Sequence, residues 1–204
     1  MKHSFNFPEH VRKSVKDYVN DKINKTDSKR YYQEPTYTSA LLSKLEGVVY
    51  SDSDIHIELI PTVFNDRGRN SAESRSGADF AITADIRDKN KKVKKAILVQ
   101  AKMDESDLNS ADLKKQIKKM KKLTRSPKVL VLNRVGERRD PYVCSGTKIL
   151  DGQKYNKQKL ADYFTSRILT TFDGDTREDF IDKVQDSGLP LLHVVAIKDK
   201  KIAK

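Results

Sequence analysis

The chain has a single cysteine, Cys144, among its 204 residues. One cysteine excludes an internal disulfide and any zinc site built on cysteine pairs. The four histidines, His3, His10, His56 and His193, are scattered without metal-ligand spacing. No run approaches the ~20 apolar residues of a membrane span. The first residues, Met1 to Phe5, lack the apolar core of a secretion signal. A soluble cytoplasmic protein is therefore expected, and the lone cysteine suits a reducing compartment. Internal repeats and compositional breaks are absent too. The chain is read as one domain over residues 1–204, long enough for one well-packed core.

What the chain has is positive charge. Lys and Arg number 41 against 29 Asp and Glu, a formal net charge of +12. Such an excess favours polyanions, nucleic acid first and an acidic membrane surface second. The plainer alternative is a lysine-rich solvated surface. Hydrophobic residues make up 36% and charged residues 34%, a polar-rich but globular composition.

Helical spacing of Val11, Val15, Tyr18, Val19 and Ile23 predicts a helix over 8–24. A second begins at or just after Pro35, because the residue before proline is pushed out of helical geometry. Thr38, Leu41, Leu42 and Leu45 form its inner face, and Gly47 stops it. Glu34 then sits at the positive end of that helix, where a carboxylate is stabilised as an anion. Strands are expected over 48–50 and 55–60, then a polar loop over 65–76. Phe80, Ile82, Ala84 and Ile86 alternate with Asp79, Ala81, Thr83 and Asp85, a strand with two different faces. The turn residues Asp88 to Lys92 return the chain as an antiparallel hairpin over 95–103. Period-two geometry puts Leu98, Gln100 and Lys102 on one face of that return strand. A lysine-rich helix over 106–123 follows, with Leu113, Ile117, Met120 and Leu123 inward. A fully apolar strand over 129–132, parallel to its neighbour, comes next. A short strand at 142–145, helices over 156–171 and 177–186 and a closing strand over 189–197 complete the chain. This order predicts an α/β sandwich, a mixed sheet flanked by helices.

Chemistry concentrates at the hairpin. Asp79 opens one apolar strand and Gln100-Ala101-Lys102 closes the next. Polar groups at the ends of buried strands are costly without partners, so these are candidate site residues. Their types suit a divalent metal and a phosphodiester. An aspartate is a hard anionic ligand for Mg²⁺. The Gln100 amide oxygen coordinates too, but is neutral and holds metal less tightly. Lys102 suits the negative charge that develops on phosphorus. Each residue also has a plainer reading: Asp79 as a strand-edge turn residue, Gln100 and Lys102 as a half-exposed polar stripe, Glu34 as a helix-capping acid.

Ser76-Gly77-Ala78-Asp79 with Gln100-Ala101-Lys102, set on a hairpin after a helix with an early glutamate, resembles the PD-(D/E)xK nuclease superfamily. Gln in place of Glu is similar to Mrr-type restriction enzymes and several phage-defence nucleases. The resemblance spans roughly residues 31–135, the expected catalytic core, with 140–204 completing a restriction-endonuclease-like fold. It implies a metal-dependent nuclease, DNA favoured over RNA as substrate, plausible in restriction or anti-phage defence and as a homodimer. It implies Mg²⁺, with Mn²⁺ substituting, held by Asp79, Gln100, Glu34 and the Ala101 backbone carbonyl, with Lys102 as the catalytic cation. Glu34 is favoured as the helix glutamate over Glu46 at the helix's far end, and Gln116 resembles a glutamine that some members place near the site. Arg67, Arg69 and Arg75 border the site, and Lys114 and Lys118 belong to the lysine-rich helix. All five are candidate phosphate contacts, although a flexible solvated loop and an ordinary solvated helix face fit as well. The runner-up is a non-catalytic nucleic-acid-binding or assembly module on the same fold. A third reading is a basic adaptor for an acidic protein.

Overall fold

The computed structural model describes residues 5–62, 72–132, 140–170 and 172–199. Helix α1 (Glu9–Lys25) buries Val11, Val15, Val19 and Ile23, a row repeating every four residues. Helix α2 (Glu34–Lys44) starts one residue before its proline, which stands near the amino end where a missing N–H costs little. Strands β1 (Gly47–Ser51) and β2 (Ile55–Thr62) follow as an antiparallel pair. The polar loop expected over 65–76 is only partly described, and its last residues form a short helix α3 (Ala72–Ser76).

Strands β3 (Phe80–Arg87) and β4 (Lys92–Lys102) make the expected antiparallel hairpin. Both faces of β3 are buried, so it is a central strand rather than a half-exposed one. Phe80, Ile82, Ala84, Ile97, Val99 and Ala101 pack in one core with α1 and α2. Ala81, Ala96 and Leu98 pack in a second core on the other face.

The helix expected over 106–123 is divided. A short 3₁₀ turn covers Glu105–Asn109, and α4 (Ala111–Leu123) starts afresh after Ser110, whose hydroxyl accepts the Leu113 N–H at 3.2 Å. Leu113, Ile117 and Met120 are fully buried, each stabilising the fold by roughly 1.5–3 kcal/mol. Leu123, expected inward, is 43% exposed at the helix end. Strand β5 (Lys128–Val131) returns parallel to β4, as a helical crossover requires.

Strand β6 (Tyr142–Ser145) runs antiparallel to β5 and leads into a short helix α5 (Gly146–Leu150) that the residue pattern did not disclose. The long helix expected over 156–171 is a correction. A two-residue strand β7 (Gln158–Lys159) precedes α6 (Leu160–Tyr163), which loosens into a π turn over Phe164–Ile168. The buried Lys95 ends it: its ammonium donates to the carbonyls of Arg167 and Thr170, groups that a helix end leaves unsatisfied. Helix α7 (Glu178–Gln185) and strand β8 (Leu191–Lys198) close the chain.

The sheet order is β1-β2-β8-β3-β4-β5-β6-β7. The last strand is inserted at the middle, antiparallel to β2 and parallel to β3. The fold is thus a mixed α/β arrangement: an eight-stranded mixed sheet flanked by helices. No helix among the described residues is long and apolar enough to cross a membrane.

Candidate active site

Asp79 stands immediately before β3, and its N–H donates to the Val99 carbonyl at 3.0 Å, extending the β3–β4 ladder by one rung. Its approach from α3 turns on Gly77, which has φ +76°. A Cβ there would lie 2.5 Å from the Gln116 carbonyl oxygen of α4. Both the left-handed backbone and the contact require glycine. The turn therefore fixes Asp79 against β4, directly under α4.

The Asp79 carboxylate accepts the Ala101 N–H at 2.6 Å and also a short hydrogen bond from the Gln100 Nε2. The same Nε2 donates to the Ala101 carbonyl at 3.2 Å. Gln100 is 0% exposed, and its Oε1 has no partner among the described residues. An unpaired buried amide oxygen is costly. Half a turn of this amide, which exchanges O and N with little change of shape, would point the oxygen at Asp79.

Glu34 arrives from the other core. It heads α2, and its carboxylate stands 3.5 Å from the Lys102 Nζ at the end of β4. Burial raises the Glu34 pKa above its usual value; Lys102 pulls it back, and Asp107 in the 3₁₀ turn raises it further. Burial, then the Glu34 carboxylate, push Asp79 up to about 7, while the Ala101 N–H and Lys102 act the other way. Four of the residues singled out in the sequence, Glu34, Asp79, Gln100 and Lys102, thus converge at the end of the hairpin.

Others fall elsewhere. Glu46 is exposed beyond the far end of α2, and its carbonyl accepts the Tyr18 hydroxyl at 2.6 Å. At 1.5 Å per residue, helix α2 holds it well over 10 Å from Glu34. The Arg75 guanidinium donates to the Ser187 carbonyl at 3.4 Å, tying α3 to the segment before β8. Arg67 and Arg69 lie outside the described residues. Gln116 places its backbone against Gly77, and its side-chain oxygen is buried without a partner among the described residues. Lys114 and Lys118 are exposed on α4.

Two acids went unnoticed in the sequence. Glu73 in α3 acts on Asp79, and Asp107 acts on Glu34. Asp107 carried a signal, the Asp104-x-x-Asp107 capping box. In it the Asp104 carboxylate accepts the Ser106 N–H at 3.0 Å, and Asp107 accepts the Asp104 N–H at 3.3 Å. Glu73 carried none, because the segment read as loop.

No group of three or more His, Cys, Asp or Glu side chains suited to hold a metal occurs among the described residues. The donor set at the hairpin is two carboxylates, one amide and one carbonyl. Both carboxylates have pKa values raised chiefly by burial, and the Gln100 amide oxygen has no partner among the described residues. Carboxylate, amide and carbonyl oxygens are the donor types that Mg²⁺ takes, so the residues fit that ion in kind. Comparison with known proteins found no matching family model, no matching curated protein and no matching solved structure.

Proposed function

We propose that the chain is a metal-dependent nuclease of the PD-(D/E)xK type, acting on phosphodiesters of DNA on a restriction-endonuclease-like fold. The observation that carries this is the meeting of Glu34, Asp79, Gln100 and Lys102 from separate elements at one strand end, with Asp79 pushed up to about 7 by burial and by Glu34. The succession α2, β3–β4 hairpin, α4 and parallel β5 supports the family reading, whereas the insertion of β8 beside β3 lies outside that pattern. A role in restriction or anti-phage defence, and action as a homodimer, follow from the resemblance to Mrr-type enzymes.

Asp79, Glu34, the Ala101 carbonyl and Gln100, once its amide is turned, would hold Mg²⁺ or Mn²⁺. The metal would neutralise phosphate charge and acidify a bound water. The protein's own groups do the rest. Lys102 Nζ, held by Glu34, reaches the site as a hydrogen-bond donor and stabilises the charge that grows on the non-bridging phosphate oxygens. The Ala101 N–H holds the Asp79 carboxylate whichever way the Gln100 amide is turned, so its orientation is set before substrate arrives.

Cleavage of plasmid or oligonucleotide DNA with Mg²⁺ or Mn²⁺ tests this. Lys102→Ala and Asp79→Ala should each abolish cleavage, and unchanged cleavage by both would sink the site assignment. A binding module without catalysis is the second reading, favoured by the Gln100 NH₂ facing Asp79 and by the neutral residue at that position. Calorimetric titration separates the two: such a module shifts in mobility with DNA yet gives no heat with Mg²⁺.

A further inference from the structure

Helix α4 covers the face of the sheet that carries Asp79 and Gln100, and its Gln116 backbone meets Gly77, two residues before Asp79. From Gln116 the helix runs about 10 Å further, to a groove at its carboxyl end. That groove, about 630 Å³, runs between residues 121–126 and 172–177. Its walls are pinned. The Arg177 guanidinium donates at 2.7 Å to both the Leu123 carbonyl and the Asp175 carboxylate. Asp175 also exchanges backbone hydrogen bonds with Ala96 of β4, at 2.9 and 3.0 Å, and accepts the Thr124 hydroxyl at 3.2 Å. The acid of the groove is thus occupied, and Arg177 holds it below the usual carboxylate range.

The remaining lining is cationic and aromatic. Lys121, Lys122 and Arg125 border the groove, and Phe172, 59% exposed, forms part of its wall. Lys121 is 3.6 Å from Asp151, whereas Lys122 and Arg125 meet no carboxylate among the described residues. The Arg167 guanidinium lies 5.7 Å from the Phe172 ring centroid, within cation–π range. An exposed phenylalanine ring, with Arg167 on one side and beside cations that meet no carboxylate among the described residues, matches one polyanion chemistry. Phosphates meet the cations, and an unstacked base meets the ring. A duplex offers no free base face to a ring, and an acidic protein needs no ring. Lys114, Lys118 and Lys122, four residues apart on α4, form an exposed row from the site end towards the groove.

We propose that this groove binds single-stranded nucleic acid. One base stacks on Phe172 and its phosphates lie at Lys122 and Arg125, while the strand follows the α4 lysine row to the Asp79 site. The strand's role as substrate rests on the nuclease reading of that site; binding in the groove is measured separately.

The test is fluorescence anisotropy on the full chain in chelator, with a labelled single strand of roughly a dozen nucleotides and a duplex of equal length. Phe172→Ala should weaken single-strand binding roughly tenfold and leave duplex binding unchanged, and Phe172→Tyr should restore it. Lys122→Glu with Arg125→Glu should weaken binding and flatten the log–log salt slope by roughly 1.4. Wild-type affinity in Phe172→Ala, equal losses on strand and duplex, or displacement by polyglutamate as readily as by unlabelled strand would each overturn the proposal. Cleavage assays on Asp79→Ala and Lys102→Ala keep the two readings apart. If both variants still cleave, the site assignment falls while anisotropy still decides the groove. If both are dead and Phe172→Ala binds normally, the groove falls and the site stands.

Discussion

At the scale of single residues, Asp79 combines two roles that pull in opposite directions. It accepts two hydrogen bonds, which stabilise the fold, yet it is held beside Glu34 with its pKa up at about 7. A carboxyl whose folded pKa lies above its unfolded value near 3.9 stabilises the fold at low pH. That stability is lost as pH rises through 4 to 7, because the charged form is the unwelcome one. Asp79→Asn keeps an acceptor oxygen and removes the charge. It should therefore raise stability at pH 8, on the order of 1–3 kcal/mol, with the difference gone near pH 4. Urea unfolding at the two pH values measures this, and a loss of stability at pH 8 would mark the carboxylate as purely structural. Lys95 gives a second titration. It is 1% exposed, and burial pushes its pKa down to about 7, partly offset by Asp173. The unfolded chain binds that proton more tightly, so its contribution to stability rises between pH 7 and about 10, by up to about 1.4 kcal/mol per pH unit. Over the same range Cys144, pushed up to about 12 by burial, works in the opposite direction. The comparison is therefore with Lys95→Met, whose pH slope should be lower than that of the wild type by this amount.

At the scale of elements, the site depends on how two connections are built. Gly77 lets α3 turn into β3 under the α4 backbone. Gly77→Ala should cost about 2 kcal/mol or more and abolish the proposed cleavage, since relief of the clash moves either Asp79 or α4. Thermal unfolding and cleavage read the two effects. Ser110→Ala, which removes only the α4 cap, should cost about 1 kcal/mol and leave the site intact. The β3–β4 hairpin was legible because alternating apolar residues flank a turn-forming Asp-Lys-Asn, all within two dozen residues. The helix over 156–171 was misread because Leu160, Tyr163, Phe164 and Ile168 do repeat at helical spacing. At its amino end Gln158 and Lys159 pair with β6 as a strand, and at its carboxyl end Lys95, about 70 positions earlier, takes the carbonyls of Arg167 and Thr170. Periodicity reports the face an element buries; it carries no notice of a distant side chain that ends it.

At the scale of the whole molecule, a charge of +12 should make the proposed nucleic-acid binding steeply salt-dependent. Affinity measured across a salt series should fall linearly on a log–log plot, with a slope that counts the phosphates neutralised. The sheet makes a separate demand. Strand β8 pairs with β2 on one side and β3 on the other, so within the sheet the pair β1–β2 meets the five strands β3–β7 only through it. Removing residues 186–204 should leave a chain without cooperative unfolding by circular dichroism, although the truncation lies outside the 31–135 core. The closing strand was legible as an apolar run; its insertion at the sheet's centre was not, because strand pairing is a non-local choice that local pattern does not encode. The sequence by itself determined the hairpin, the helices around it, the basic charge and the polar trio Asp79, Gln100 and Lys102, since these rest on local spacing and residue chemistry. Only the tertiary structure put Glu34 beside Lys102 and Glu46 away from it, brought Phe172 beside the α4 cations and raised the Asp79 pKa. Those depend on which surfaces meet across the sheet, and on how much water remains between them.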